Sequence, residues 1–141
     1  MFNPVPCLIA VKIKDKYASI YCHRNGDPTS MIGAGQILKK SYNTISQVIK
    51  LMRLGDVSIL GHAPISDPDA WLPNADLSKR DKCRAYRDGT DTRVTAFVNY
   101  SQSELRKYAR ACDADFIYLY MNNRWYVADL TKYDERQFKL F

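Results

Sequence analysis

Two aromatic runs near the end of the chain restrict its fold more than any other feature. Residues 116–120 and 124–128 are both apolar and aromatic, and the pair Asn122-Asn123 stands between them. Two consecutive asparagines accept the positive φ angles of a type I′ turn, which joins the strands of a tight hairpin. With that turn, five side chains share one face: Phe116, Tyr118, Tyr120, Trp125 and Val127. We predict that this face is core, packed beneath a helix.

Two capping boxes predict where helices begin. Residues 44–47 read Thr-Ile-Ser-Gln and residues 101–104 read Ser-Gln-Ser-Glu, so each hydroxyl acceptor precedes a Gln or Glu by three positions. Apolar residues recur at helical spacing after each box. Gly55 stands where the first of these helices must end in a left-handed conformation.

A third, shorter helix is predicted over residues 31–42, with Thr29 or Ser30 as its N-cap. Gly33 and Gly35 weaken its first turn by about 1 kcal/mol each relative to Ala. The two glycines therefore indicate either the close approach of another segment or a helix that starts later.

Further strands are predicted over residues 8–13, 17–22, 57–60, 83–86 and 94–100. The first two are joined by a hairpin about Asp15-Lys16 or form one long strand. This order predicts an α+β fold, in which a mainly antiparallel sheet carries its helices on one face. We expect a single domain over residues 1–141. Residues 62–93 lack clear periodicity, so a long irregular central loop is predicted there.

Positive charge is concentrated in the first part of the chain. The formal net charge is +6, and residues 1–60 contribute eight basic and three acidic side chains. A basic surface favours polyanions such as nucleic acid or an acidic protein. We predict that six basic residues contact the partner: Arg24, Lys39, Lys40, Arg53, Arg84 and Arg87.

The spacing of the reactive residues excludes several kinds of site. The four cysteines form no C-x-x-C pair and the two histidines no zinc-type pair, so no metal site is predicted. The chain has no P-loop, dinucleotide fingerprint, paired-carboxylate motif or nucleophile elbow, and we predict no cofactor. No apolar run reaches about 18 residues, and the first residues do not resemble a signal peptide. We expect a cytoplasmic protein with reduced thiols that does not bind membranes.

One segment invites a catalytic interpretation. Cys22, His23 and Asp27 put a thiol, an imidazole and a carboxylate close together in the sequence, which is the chemistry of a nucleophilic enzyme. Adjacent residues of a strand face opposite sides, however, so Cys22 and His23 do not pair easily. The alternative is a strand end closed by a turn, with Cys22 buried.

A second segment resembles a nucleic-acid-binding motif. Residues 93–100 match much of the aromatic strand motif of RNA-recognition motifs, and a predicted helix follows them. Thr95 and Ile9 stand where such a domain needs exposed aromatic rings. The alternative is a core strand that matches the motif by chance. The basic residues of 79–93 are either phosphate contacts or a solvated loop.

Three short motifs carry a resemblance to a known family. Residues 21–28 read Tyr-Cys-His-Arg-Asn-Gly-Asp-Pro, residues 35–38 read Gly-Gln-Ile-Leu, and residues 54–61 read Leu-Gly-Asp-Val-Ser-Ile-Leu-Gly. Together they resemble the signature of a functionally uncharacterised family of small bacteriophage and prophage proteins. That signature has Asp at the position of Asn25. The resemblance implies a phage origin and a cytoplasmic location in an infected bacterial host, and it brings no established reaction.

A non-enzymatic interaction protein agrees best with these features. We expect a small basic accessory protein that binds host machinery, as a host-takeover or counter-defence factor. Its partner is expected to be a host protein, a nucleic acid or a nucleoprotein complex. One alternative is a small enzyme that uses Cys22, His23 and Asp27 on a nucleotide. Another is a protein that binds a nucleotide signal, with the phosphate at the helix start near Gly33 and Gly35.

Overall fold

Nine short strands and three helices make up the part of the chain that the structure describes. The computed structural model describes residues 4–66, 82–85, 96–132 and 137–141. In chain order the elements are β1 (Cys7–Ile13), β2 (Lys16–Cys22), α1 (Ala34–Ser41), α2 (Ile45–Leu54), β3 (Val57–Ile59), β4 (Ala63–Ser66), β5 (Lys82–Ala85), β6 (Phe97–Asn99), α3 (Gln102–Ala111), β7 (Phe116–Met121), β8 (Arg124–Asp129) and β9 (Lys139–Leu140).

The described strands form one mixed sheet. Its order is β4-β5-β3-β2-β1-β7-β8-β9, and β6 pairs with the first half of β2. Five strand pairs are antiparallel and three are parallel. The parallel pair of β2 and β3 arises because α1 and α2 carry the chain back to the same end of the sheet. The predicted α+β class is confirmed, with a sheet that is mixed rather than purely antiparallel.

The helices lie on both faces of the sheet, and the prediction of one covered face was wrong. Cys7, Ile9 and Val11 of β1 share a core cluster with α1 and α2. Leu8 and Ala10 share a second cluster with α3. Five consecutive residues of β1 are therefore fully buried, as in a central strand that is covered on both sides. The small Ala10 resembled the solvent side of an alternating pattern, but it packs against α3.

The predicted turn and the capping box at Thr44 are confirmed, whereas at Ser101 the hydroxyl accepts the Glu104 N–H but the Glu104 carboxylate accepts the Tyr100 N–H instead. The Thr44 hydroxyl accepts the Gln47 N–H, and the Gln47 side chain returns to the backbone of Thr44. Gly55 ends α2 with a φ of 83°. Asn122 and Asn123 have φ angles of 53° and 61°, which makes the β7–β8 turn left-handed at both positions. The hairpin register then places its aromatic face in the core beneath α1 and α2, as predicted.

Two local predictions need correction. Helix α1 begins at Ala34 rather than near residue 31, because the Asp27 carboxylate binds the N–H groups of Thr29 and Ser30 in a separate turn. The predicted irregular loop over residues 62–93 contains β4, which was not predicted, and β5, which agrees with the strand predicted over residues 83–86. Its remaining residues from 67 to 81 and from 86 to 93 lie outside the described residues.

The RNA-recognition alternative was also wrong. Strand β6 covers only Phe97–Asn99 and pairs with β2, whereas the neighbours of β1 are β2 and β7. The platform of that domain needs the two aromatic strands side by side.

Among the described helices, none combines the length and apolar character that a membrane span requires.

Candidate functional site

The turn that follows β2 is built around one buried amide. Asn25 is only 4% exposed. Its side chain donates to the carbonyl oxygens of Ile32 and Leu60, each at 2.9 Å, and accepts the Leu60 N–H at 2.8 Å. The Cys22 thiol also donates to the Asn25 Oδ1, at 3.2 Å. Every hydrogen-bonding capacity of this buried amide is used, so Asn25 is a structural clamp.

The motifs at residues 21–28 and 54–61 meet in space. The His23 N–H donates to the Val57 carbonyl at 3.1 Å, and the Arg24 N–H donates to the Ser58 carbonyl at 3.0 Å. The Tyr21 N–H is bound by the Asp56 carboxylate at 2.9 Å. These bonds extend the parallel pairing of β2 and β3 beyond the strand itself. The two motifs thus join two segments of backbone, which gives their residues a structural role.

The structure does not bring the catalytic candidates together. Cys22 is fully buried opposite Cys7 in the core beneath α1 and α2. A hydrogen bond from the Cys7 thiol lowers the pKa of Cys22, while burial raises the pKa of Cys7. His23 lies on the other side of β2, with its Nδ1 at 3.0 Å from the Tyr21 hydroxyl. A fully buried thiol and an imidazole on opposite faces cannot act on one substrate atom.

Asp27 has a structural role of its own. Its Oδ1 accepts the N–H of Thr29 at 2.7 Å and the N–H of Ser30 at 3.2 Å. The Thr29 N–H is the main reason that the pKa of Asp27 lies below its ordinary value. A carboxylate that is ionised and occupied in a turn is a poor general acid.

The first two amides of α1 are already occupied by carbonyl oxygens of the preceding turn. The Ala34 N–H donates to the Asn25 carbonyl, and the Gly35 N–H donates to the Asp27 carbonyl at 3.3 Å. The two glycines are required by close approach, as the sequence indicated. A Cβ at Gly33 would lie 2.1 Å from the Asp27 oxygen, and one at Gly35 would lie 2.7 Å from the Pro28 oxygen.

A different surface has the properties of an anion-binding site. Two cavities of about 540 and 360 Å³ adjoin on the α1–α2 side of the sheet, and His62 lines both of them. We call this surface the basic groove. Its described polar lining consists of Gln36, Lys39, Lys40, Ser41, Gln47, Lys50, Arg53 and His62, and it contains no Asp or Glu. Cations that converge on a concave surface without acidic neighbours attract anions strongly.

Each cation of the groove stands on a helix. Lys39 and Lys40 belong to the last turn of α1, and Lys50 and Arg53 lie three residues apart on α2. The Lys39 ammonium lies 4.9 Å from the centre of the Phe141 ring, a distance that permits a cation–π contact. Within the part of the chain that the structure describes, Lys40, Lys50 and Arg53 form no ion pair.

His62 is held from two directions. Its Nδ1 lies 2.5 Å from the Ser41 hydroxyl at the end of α1. Beside it, the Gly61 N–H donates to the Cys83 sulfur at 3.2 Å, and the Gly61 carbonyl accepts the Tyr42 hydroxyl at 2.8 Å. Burial raises the pKa of Cys83 to about 11, so its thiol stays protonated at neutral pH. The imidazole is therefore held by the end of α1, and the backbone just before it is held by the buried Cys83 of β5 and by Tyr42.

Three of the six predicted contact residues lie in the groove, namely Lys39, Lys40 and Arg53. Arg24 lines a separate cavity of about 210 Å³ together with Asp27. Arg84 lies half-buried on β5, in register with Ile59, and Arg87 lies outside the described residues.

Sequence reasoning missed three residues of the groove. Lys50 precedes Arg53 by three positions, and this helical spacing is a signal that was available. Ser41 and His62 are 21 residues apart and carry no motif, so only the fold brings them together.

A metal site finds no support in the described residues. No group of three or more His, Cys, Asp or Glu side chains there is arranged to hold a metal ion.

No protein-family model matches the chain, and neither a curated protein nor a solved structure matches it.

Proposed function

We propose that this protein is a small basic accessory protein of bacteriophage type that acts by binding host machinery. It engages a phosphate-bearing partner, a nucleic acid or a nucleoprotein complex, through the basic groove. Binding, rather than catalysis, is its activity.

One observation carries this proposal: four cations line two cavities that share His62, and the described lining of these cavities has no acidic side chain. Like charges held close together repel one another, and this repulsion is relieved when an anion enters between them. A phosphate backbone supplies such anions at regular spacing and releases its own counterions on binding. The groove therefore gains most from a polyanionic partner.

The resemblance to phage proteins supports the biological part of the proposal. The motifs that carry it form the clamp between Asn25 and Leu60, and His62 follows that clamp by two residues. The signature has Asp in place of Asn25, so what it would share with this chain is the backbone pairing of the two motifs, from His23 and Arg24 to Val57 and Ser58. A small protein made in an infected cell acts there on host components, which is the role we propose.

Salt dependence tests the proposal quantitatively. With three or four phosphates neutralised by groove cations, we expect affinity for nucleic acid to fall about 20- to 150-fold between 50 and 200 mM salt. Fluorescence anisotropy with labelled single- and double-stranded DNA measures this slope. A binding curve that is flat over this range would remove nucleic acid as the direct partner and leave a protein.

A matched pair of variants locates the contact. The triple variant Lys40→Ala, Lys50→Ala and Arg53→Ala should lose most of the affinity and of the salt slope. The control Lys12→Ala, Lys107→Ala and Lys139→Ala removes three exposed lysines elsewhere, with the same change in net charge. Equal loss in both variants would mean that binding follows net charge alone, against a role for the groove. A pull-down from infected host cells, with and without nuclease, then identifies the partner.

A further inference from the structure

We propose that Ser41 and His62 form a seat for the terminal phosphate of a nucleotide, either free or at the end of a nucleic-acid strand. This inference rests on the proposed function, since it names the chemical group that the basic groove selects. It concerns a pair of side chains to which the sequence analysis gave no role.

The geometry of His62 is the first argument. Its Nδ1 is engaged by the Ser41 hydroxyl at 2.5 Å, so the second ring nitrogen, Nε2, remains for a ligand. When the Ser41 hydroxyl donates to Nδ1, the ring must carry its proton on Nε2 and becomes a donor there. The same ring lines both cavities. A ligand atom at Nε2 would thus lie where the two halves of the groove adjoin.

His62 is also held in place before any ligand binds. The backbone on either side of His62 is tied to the core, because the Cys83 thiol accepts the Gly61 N–H and donates to the Ala63 carbonyl at 3.3 Å. The Tyr42 hydroxyl holds the Gly61 carbonyl from below α1. A donor that is fixed before binding loses little conformational entropy when the ligand arrives. Such anchoring distinguishes this imidazole from an ordinary surface histidine.

Charge favours a terminal phosphate over an internal one. A phosphate monoester carries a charge of about −1.5 to −2 at neutral pH and presents three acceptor oxygens. A backbone diester carries a single negative charge. Lys40 lines one of the two cavities that share His62, and Lys50 and Arg53 line the other, so a phosphate bound at His62 lies in a field of several cations. The more highly charged phosphate gains more from them.

The size and lining of the cavities suit the rest of a nucleotide. Volumes of about 540 and 360 Å³ fall in the range of small-molecule pockets. Each cavity also carries an exposed apolar side chain, Ile65 in the larger one and Met31 in the smaller, at 55% and 88% exposure. A nucleobase would cover such a side chain while its phosphate lies at His62.

The experiment compares ligands that differ only in the terminal phosphate. One single-stranded DNA oligonucleotide is prepared with a 5′-phosphate, with a 3′-phosphate and with neither, and adenosine 5′-monophosphate is compared with adenosine. Affinities are measured by calorimetry for the unmodified protein, for Ser41→Ala and His62→Gln, and for Lys107→Ala as a control on α3. We expect one phosphorylated oligonucleotide to bind about tenfold more tightly than the unphosphorylated one, the effect of one charge-assisted hydrogen bond.

The outcomes separate this inference from the proposed function. A preference that Ser41→Ala and His62→Gln abolish and Lys107→Ala keeps would support the seat, and binding of the mononucleotide would assign it to free nucleotides as well. Equal, salt-dependent affinity for all three oligonucleotides would overturn the seat and leave the proposed function standing. No binding of any oligonucleotide would overturn both the seat and the nucleic-acid form of the proposed function. The unmodified protein reports whether the preference exists, and the variants, once circular dichroism shows that they are folded, locate it: a preference that both Ser41→Ala and His62→Gln keep would overturn the seat.

Discussion

The side-chain amide of Asn25 holds Leu60 by both of its backbone polar groups, donating to its carbonyl oxygen at 2.9 Å and accepting its N–H at 2.8 Å. A third bond, to the carbonyl of Ile32, ties the segment before α1 to the same point. Through this one residue the turn after β2 fixes the chain two residues before His62. The stability of the turn and the shape of the basic groove are therefore coupled.

The first prediction concerns Asn25→Asp. A carboxylate cannot donate, so the carbonyls of Ile32 and Leu60 would lose their partner and face a buried negative charge. We expect the free energy of unfolding to fall by at least about 2 kcal/mol at pH 7, as measured by urea denaturation.

The loss should depend on pH. Burial beside carbonyl oxygens raises the pKa of the introduced carboxyl above its unfolded value of about 3.9. The variant should therefore be least destabilised below about pH 4 and lose stability as pH rises through the folded pKa. Asn43→Asp is the control, since Asn43 is exposed. If the free energy of unfolding fell equally in the two variants and did not depend on pH, the proposed role of Asn25 as a clamp would be contradicted.

Local signals predicted the elements that depend on local chemistry. The capping box at Thr44 and the turn at Asn122-Asn123 form as predicted because each needs only a few adjacent residues. The aromatic face of the β7–β8 hairpin follows from the turn, because the type and length of a turn fix which residues of the two strands pair.

What could not be predicted depends on long-range pairing. Strands β1 and β7 are about 100 residues apart yet run side by side in parallel, and no local pattern specifies that partner. Helix α3 covers the second face of β1, on which Leu8 and Ala10 lie, and the sequence of β1 alone does not show that this helix packs there. The basic groove could not be predicted for the same reason, because Ser41 and His62 lie close together only through the pairing of β3 with β2.

The second prediction concerns Thr44→Ala. Removing the hydroxyl leaves the Gln47 N–H at the start of α2 without its partner. We expect a loss of about 1 kcal/mol in the free energy of unfolding, the usual value for a lost N-cap. Ser46→Ala is the matched control, because Ser46 is exposed in the same first turn and its replacement should be neutral or slightly stabilising. A loss of the same size in both variants would contradict the capping role.

The third prediction concerns the left-handed turn. Asn123 has a φ of 61°, a conformation that Ala adopts at a cost of about 1 kcal/mol and Gly adopts freely. Asn123→Ala should therefore lower the urea midpoint, and Asn123→Gly should keep or raise it. If Ala and Gly proved equal at this position, strain at the turn would not be the controlling factor.

The fourth prediction concerns stability at alkaline pH. Burial raises the pKa of Cys83 from 9.0 to about 11, so between these values the unfolded chain loses this proton before the folded chain does. The contribution of the protonated thiol is thus complete below about pH 9 and is lost as pH rises towards 11. Cys83→Ser keeps a small hydrogen-bonding side chain but does not titrate in this range. Urea denaturation under reducing conditions should show a smaller loss of stability from pH 9 to 11 for Cys83→Ser than for the unmodified protein. If the free energy of unfolding fell equally in the two proteins from pH 9 to 11, ionisation of the buried Cys83 thiol would not be what destabilises the protein at alkaline pH.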